Sequence, residues 1–156
     1  FTSQGTPFMF AGEEIFRDKK GIHNTFKSPD DVNAIDWNLK ADNIEQFNYY
    51  CNLIALRKAH PAFRLGSAEE VAKNIVFDKV KVDNLVSYSI KNHAGGDEWE
   101  EIKVVFNGSD KPQTVNVPKG KWTIIAADGR LDKDGLSESK GGKIEAAPQA
   151  ALILAR

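Results

Sequence analysis

The sequence predicts a mainly β fold with a minor α part. An antiparallel β-sandwich is expected over residues 66–156, preceded over residues 1–65 by a single strand, a long loop and one helix. Three observations carry this. From residue 75 onward, apolar residues recur with period two in short runs, the signature of half-buried strands. Turn chemistry separates those runs: Asp83-Asn84, Gly95-Gly96, Asn107-Gly108, Pro118-Lys119-Gly120, Asp128-Gly129 and Gly141-Gly142. Before residue 65, by contrast, one stretch has the helical period and the rest is loop chemistry.

The elements follow in order. Residues 6–12 read as a short buried strand, entered through Gly5 and Pro7 and closed by Gly12. Residues 17–41 hold no sustained period, and a loop of that length in a compact domain is usually functional or disordered. Residues 42–59 are helical, because Ile44, Phe47, Cys51, Ile54 and Ala55 follow i, i+3, i+4 spacing, with Tyr50 and Leu53 broadening the stripe. Asp42 or Asn43 suits the cap, Glu45 the first turn, and Arg57 and Lys58 the last. Pro61 bars continuation. Cys51, the single cysteine, is expected to pack in that stripe as a small hydrophobe, and His60 to cap the helix C-terminus. A second helix begins at Ser67, where Ser67-Ala68-Glu69-Glu70 forms a capping box. Strands are expected at 75–80, 85–91, 101–107, 113–117, 121–126, 143–145 and 149–155. They suffice for a self-contained domain. One strand, one loop and one helix do not; they have the form of a single β/α unit of a barrel.

Bulk properties narrow the function classes. The 156 residues carry a formal net charge of −1, so no basic field recruits nucleic acid or an anionic membrane surface. No apolar run reaches the roughly 20 residues of a membrane span. The chain opens at Phe1, with no signal-peptide pattern, as expected of a piece excised from a longer protein, and it sets no compartment. No nucleophile elbow, P-loop or dinucleotide fingerprint occurs, so no cofactor is expected. His23, His60 and His93 lack metal-ligand spacing. The run from Asp128 to Gly135 does not make a calcium loop, because aligning Gly135 with the loop glycine puts Arg130 and Gly141 where acids are required.

Glu13 and Glu14 stand at the end of the expected barrel strand, where barrel active sites form. Adjacent strand residues point to opposite sides, however, so they cannot flank one reacting bond; the alternative is ion pairing, with Arg17 as a partner. The loop from His23 to Trp37 mixes hydrogen-bonding groups (His23, Asn24, Asp30, Asp36) with flat rings (Phe26, Trp37). Sugars present hydroxyl rims and C–H faces, so a sugar cleft needs both; the other reading is that Phe26 and Trp37 pin the loop. Trp99 and Trp122 could form a sugar platform in the β-half or belong to its core.

Taken together, Thr2-Ser3-Gln4-Gly5-Thr6-Pro7-Phe8 through Ala11-Gly12-Glu13-Glu14 is similar to the end of the catalytic barrel in α-amylase-type glycoside hydrolases. Arg17-Asp18-Lys19-Lys20-Gly21, His23-Asn24-Thr25-Phe26, Ser28-Pro29-Asp30 and Asn33-Ala34-Ile35-Asp36-Trp37 resemble the long loop of type I pullulanases, and Arg57-Lys58-Ala59-His60-Pro61-Ala62-Phe63-Arg64 resembles their last barrel helix. The resemblance implies that residues 1–65 are the last strand and helix of a (β/α)8 barrel, and residues 66–156 an amylase C-domain-like β-sandwich. It further implies a parent that hydrolyses α-1,6 linkages in pullulan or branched dextrins with two carboxylates about 5 Å apart. In that family the carboxylates lie on barrel strands four, five and seven, so none is expected here and the chain alone would be non-catalytic. Arg17, His23, Asn24, Phe26 and Trp37 become the expected substrate-binding residues. Thr25 and Phe26 stand where the family commonly has Ser and Tyr, which removes a tyrosine hydroxyl. A stand-alone carbohydrate-binding or structural module is the alternative. The apolar strand and the helix stripe are expected to be covered, by folding back on the β-domain or by self-association.

Overall fold

The computed structural model describes residues 1–156. Two compact units emerge, Phe1–Thr6 with Asn52–Arg156, and Pro7–Cys51. The division runs through a helix.

The larger unit is mainly β and antiparallel throughout. Its strands are β1 (Ile75–Phe77), β2 (Leu85–Ile90), β3 (Ile102–Asn107), β4 (Gln113–Val117), β5 (Trp122–Ala127), β6 (Arg130–Leu131), β7 (Ser137–Ser139), β8 (Gly142–Ala146) and β9 (Ala150–Ala155). Seven form one sheet in the order β1-β2-β3-β9-β5-β6, with β7 also on β5, and β4 and β8 form a second. The seven strands expected after residue 74 are all present, the first shortened to Ile75–Phe77; β6 and β7 were not anticipated.

Period-two alternation builds a core on each face of the large sheet. In β9, Leu152 and Leu154 face one way and Ile153 and Ala155 the other. The first pair joins Leu85, Val105 and Trp122 beneath Val115, Val117 and Ala146 of the small sheet. The second joins Tyr88, Ile90, Ile102 and Val104 beneath Leu56, Ala62 and Phe63. A bulge in β5 inserts Ile125 between Ile124, opposite Leu154, and Ala126, opposite Ile153. It puts Ile125 and Ala126 consecutively into the same core and shifts the alternation of the residues that follow. Trp122 is fully buried, and its indole N–H donates to Pro118 O at 2.8 Å. Of the two tryptophans considered for a sugar platform, this one belongs to the core. Lys103, buried on the small-sheet side, is neutralised by Asp78, which also accepts from Ser87 Oγ at 2.6 Å.

The helices are α1 (Asp30–Asn33), α2 (Leu39–Asp42), α3 (Ile44–Ala59) and α4 (Ala68–Asn74). The capping box is half realised as read: Ser67 Oγ accepts from Glu70 N at 3.2 Å, while Glu70 Oε2 accepts from Gly66 N at 3.1 Å. No helix is long and apolar enough to cross a membrane.

Several expectations are corrected. Residues 6–12 form no strand; Phe8 is 97% exposed and Phe10 is exposed. An apolar run becomes a strand only where a neighbour completes its ladder, and no other segment of the chain does so. The stripe of α3 is likewise uncovered: Ile44, Ile54 and Cys51 are exposed, and only Leu56 and Arg57 are buried.

Candidate functional site

Two clusters of polar chemistry hold the sequence-predicted residues, one in each unit. In Pro7–Cys51 the chain reverses at Gly12, whose φ of 101° and whose neighbour Arg17, 2.6 Å from where a Cβ would sit, both require glycine. Ile15 and Val32 are buried and give this loop its small apolar anchor. Arg17 donates to Ala11 O at 3.1 Å and to Asn33 O, and its guanidinium lies 5.1 Å from the Phe10 ring centroid. Asn33, closing α1, is the hub. Its Nδ2 donates to Thr25 O (2.8 Å) and Ser28 O (2.6 Å), and its Oδ1 accepts from Lys19 Nζ at 2.7 Å. Three loop strands of the sequence are thus tied to one amide, whose two donors and acceptor are all used.

Around that hub the expected substrate-binding residues take different positions. His23 and Asn24 are exposed, Phe26 is 75% exposed with Lys27 Nζ 5.3 Å from its ring, and Trp37 is 67% exposed. Arg17 is half-buried and occupied with carbonyls. No hydrogen bond, ion pair or ring contact joins any two of these five. Phe26 and Trp37 face solvent in this chain. Glu14 folds back to accept from Gly12 N at 3.1 Å, and neither Glu13 nor Glu14 pairs with Arg17. Asn33 was not singled out in the sequence as the loop's organiser; its place in the Asn-Ala-Ile-Asp-Trp motif is the signal that marks it.

The second cluster stitches the larger unit together. Buried Arg57 reaches the carbonyl oxygens of Phe1, Ser3 and Phe63 at 2.7 Å and of Gly5 at 2.5 Å. Burial, then the charge of Arg64, lowers its guanidinium from the ordinary value. Gln4 donates to Ala62 O at 2.7 Å and accepts from Leu65 N at 2.8 Å, while Tyr88 Oη donates to Thr2 O at 3.0 Å. Nearby, His60 Nδ1 lies 2.9 Å from Asp97 Oδ1 and its ring stacks on Trp99 at 3.4 Å. His60 is thus a buried partner of Asp97 and Trp99, and its side chain does not cap α3. Asp97 also accepts from Ala62 N at 3.1 Å and Trp99 N at 3.0 Å. Burial by itself would raise this carboxyl; the bonds from His60, Trp99 and Ala62 together hold it below its ordinary value. Trp99, half-buried against His60, is packing and not an open platform.

Neither cluster offers a nucleophile–base pair. What the loop presents to solvent is hydrogen-bonding groups and aromatic faces, and the larger unit is an antiparallel β domain. The family model for the pullulanase all-beta domain matches residues 71–130. A pullulanase of Bacillus subtilis (strain 168) is 38% identical over 107 residues, covering 69% of this chain and 15% of that protein. The solved pullulanase from Bacillus acidopullulyticus superposes with a TM-score of 0.93 at 37% identity, over 99% of this chain and 19% of that one. A pullulanase complexed with maltotriose, from Anoxybacillus sp. LM18-11, gives 0.86 at 31% identity, over 99% of this chain and 21% of that one. In sequence and in fold, the chain is a homologue of the C-terminal region of type I pullulanases.

Proposed function

We propose that this chain acts as the C-terminal part of a debranching glycoside hydrolase that cleaves α-1,6 linkages in pullulan or branched dextrins, and that it supplies no catalytic carboxylate. The observation that carries this is the likeness across 99% of the chain to a solved pullulanase, at 37% identity. Residues 1–65 would then form the last β/α unit of a barrel and residues 66–156 an amylase C-domain-like sandwich. The uncovered run at Phe8 and Phe10 supports a strand whose ladder partners lie in the rest of such a barrel. The loop would form one wall of a sugar cleft, with Asn24 and His23 meeting hydroxyls and Phe26 and Trp37 meeting C–H faces. Arg17 would contribute by holding Ala11 and Asn33 in place. A homologue is complexed with maltotriose, which makes an α-glucan the ligand to test. In isolation, the uncovered rings of residues 7–51 would favour self-association.

The experiment is a titration of the isotopically labelled chain with maltotriose, read by amide and ring resonances. Shifts at Asn24, Phe26 and Trp37 support a cleft wall. Shifts confined to the strands around Trp99 and Trp122 would instead support a stand-alone carbohydrate-binding module. Release of reducing sugar from pullulan by the purified chain would overturn the non-catalytic assignment.

A further inference from the structure

Asn107 is followed by Gly108, the one Asn-Gly pair in the sequence. It ends β3 and is buried. Its Nδ2 lies within hydrogen-bonding distance of Lys111 O (2.8 Å), Ala147 O (2.9 Å) and Ala146 O (3.1 Å). Its Oδ1 accepts from Ser109 N at 3.1 Å and Ser109 Oγ at 2.7 Å. One side chain therefore joins the end of β3, the turn into β4 and the end of β8, so it ties the two sheets at one corner.

Asn-Gly is also the pair in which the following backbone nitrogen most readily attacks the side-chain amide, because glycine places no side chain in the way and leaves the backbone free to turn. The fold opposes that attack. Gly108 N–H donates to Asn84 O at 2.8 Å, and the amide it would attack is held by the contacts above. The backbone of Asn107 is fixed by pairing with Leu85 on one side and Ala150 on the other.

We propose that Asn107 is a spontaneous deamidation site gated by opening of this corner, and that modification makes the opening irreversible. In the opened chain, Gly108 N loses its proton to solvent base and bonds to Asn107 Cγ, and Nδ2 leaves as ammonia. Water then opens the cyclic imide at either carbonyl, giving aspartate or isoaspartate. Neither product closes the corner again. The carboxylate has no N–H for three carbonyls and brings negative charge against them. Isoaspartate in addition routes the main chain through the side-chain carbon, which breaks register with β2 and β9 together. A transient fluctuation thereby becomes a permanent loss of the native state.

The test is peptide mass mapping of the intact chain incubated at mildly alkaline pH, in buffer and in urea, beside a short peptide spanning residues 104–111. In urea Asn107 should convert at the peptide's rate, and in buffer at least about tenfold more slowly, because only the opened fraction reacts. Gly108→Ala, whose Cβ would meet Asn84 O at 3.3 Å and needs only a small shift, should slow conversion several-fold in urea. After dilution from urea, the refolded fraction should retain the amide and the non-native fraction should hold the aspartate and isoaspartate forms. Conversion in buffer at the peptide's rate would overturn the gating. Deamidated chains that refold and melt with the unmodified protein would overturn the irreversibility. Both readouts use the unsubstituted chain, so they stand whether or not Asn107→Asp folds.

Discussion

Asn52–Arg156 with Phe1–Thr6 closes two apolar cores around one sheet, whereas Pro7–Cys51 buries little beyond Ile15 and Val32 and turns its largest rings to solvent. Each region has polar hubs that tie its backbone together: Arg57 and Asp97 in the first, Arg17 and Asn33 in the second. The difference lies in apolar surface: hydrogen bonds give the loop a shape, but only burial gives a region stability of its own. The β region buries its own cores, and the loop region leaves most of its large apolar side chains in solvent.

The sharpest way to break this contrast is to damage each region's aromatics. Trp122→Ala should lower stability by about 3–5 kcal/mol, since it empties the junction of the two sheets, with chemical denaturation as the measurement. Asp97→Ala should cost about 3 kcal/mol, because His60 Nδ1 and the N–H groups of Ala62 and Trp99 lose their acceptor in a buried place. The sign of its pH dependence follows from the lowered carboxyl. Stability from Asp97 is present above the ordinary unfolded value of about 3.9 and is lost as pH falls through it and through the lower folded value. The stability gap between the wild type and Asp97→Asn should therefore shrink in acid. Asn33→Ala should be smaller and local, at about 1 kcal/mol: amides 17–33 lose exchange protection while the thermal midpoint of the β region stays put. Smallest of all, Phe8→Ser should change stability by less than about 0.5 kcal/mol in this chain. A large loss there would mean that the exposed run is holding something the contrast omits.

Much of the β region was legible because its signals are local. Short apolar, largely β-branched or aliphatic runs at residues 102–107 and 150–155 mark strands without knowledge of their partners, and Asn-Gly and Gly-Gly mark turns. β6 and β7 escaped because each pairs only with β5 and is short; Ser137-Glu138-Ser139 carries no apolar alternation. Residues 1–6 joining the β unit was invisible, since Arg57, Gln4 and Tyr88 reach them across long stretches of sequence. Residues 6–12 show the converse error. An apolar run reads as buried whatever surrounds it, yet burial belongs to the neighbours. For the candidate site, the motif marked which residues share the loop, and the exposure of Asn24, Phe26 and Trp37 fits a surface role. That Asn33 holds the loop together came only from distances.

Native-state hydrogen exchange of the whole chain tests the contrast most directly. The account predicts that amides of β3, β5 and β9 exchange only through global unfolding. Amides between Pro7 and Asn43 should exchange through low-energy local openings that are insensitive to denaturant. Equal, denaturant-linked protection in both regions would contradict it, because the loop region would then be stabilised by the same cooperative core.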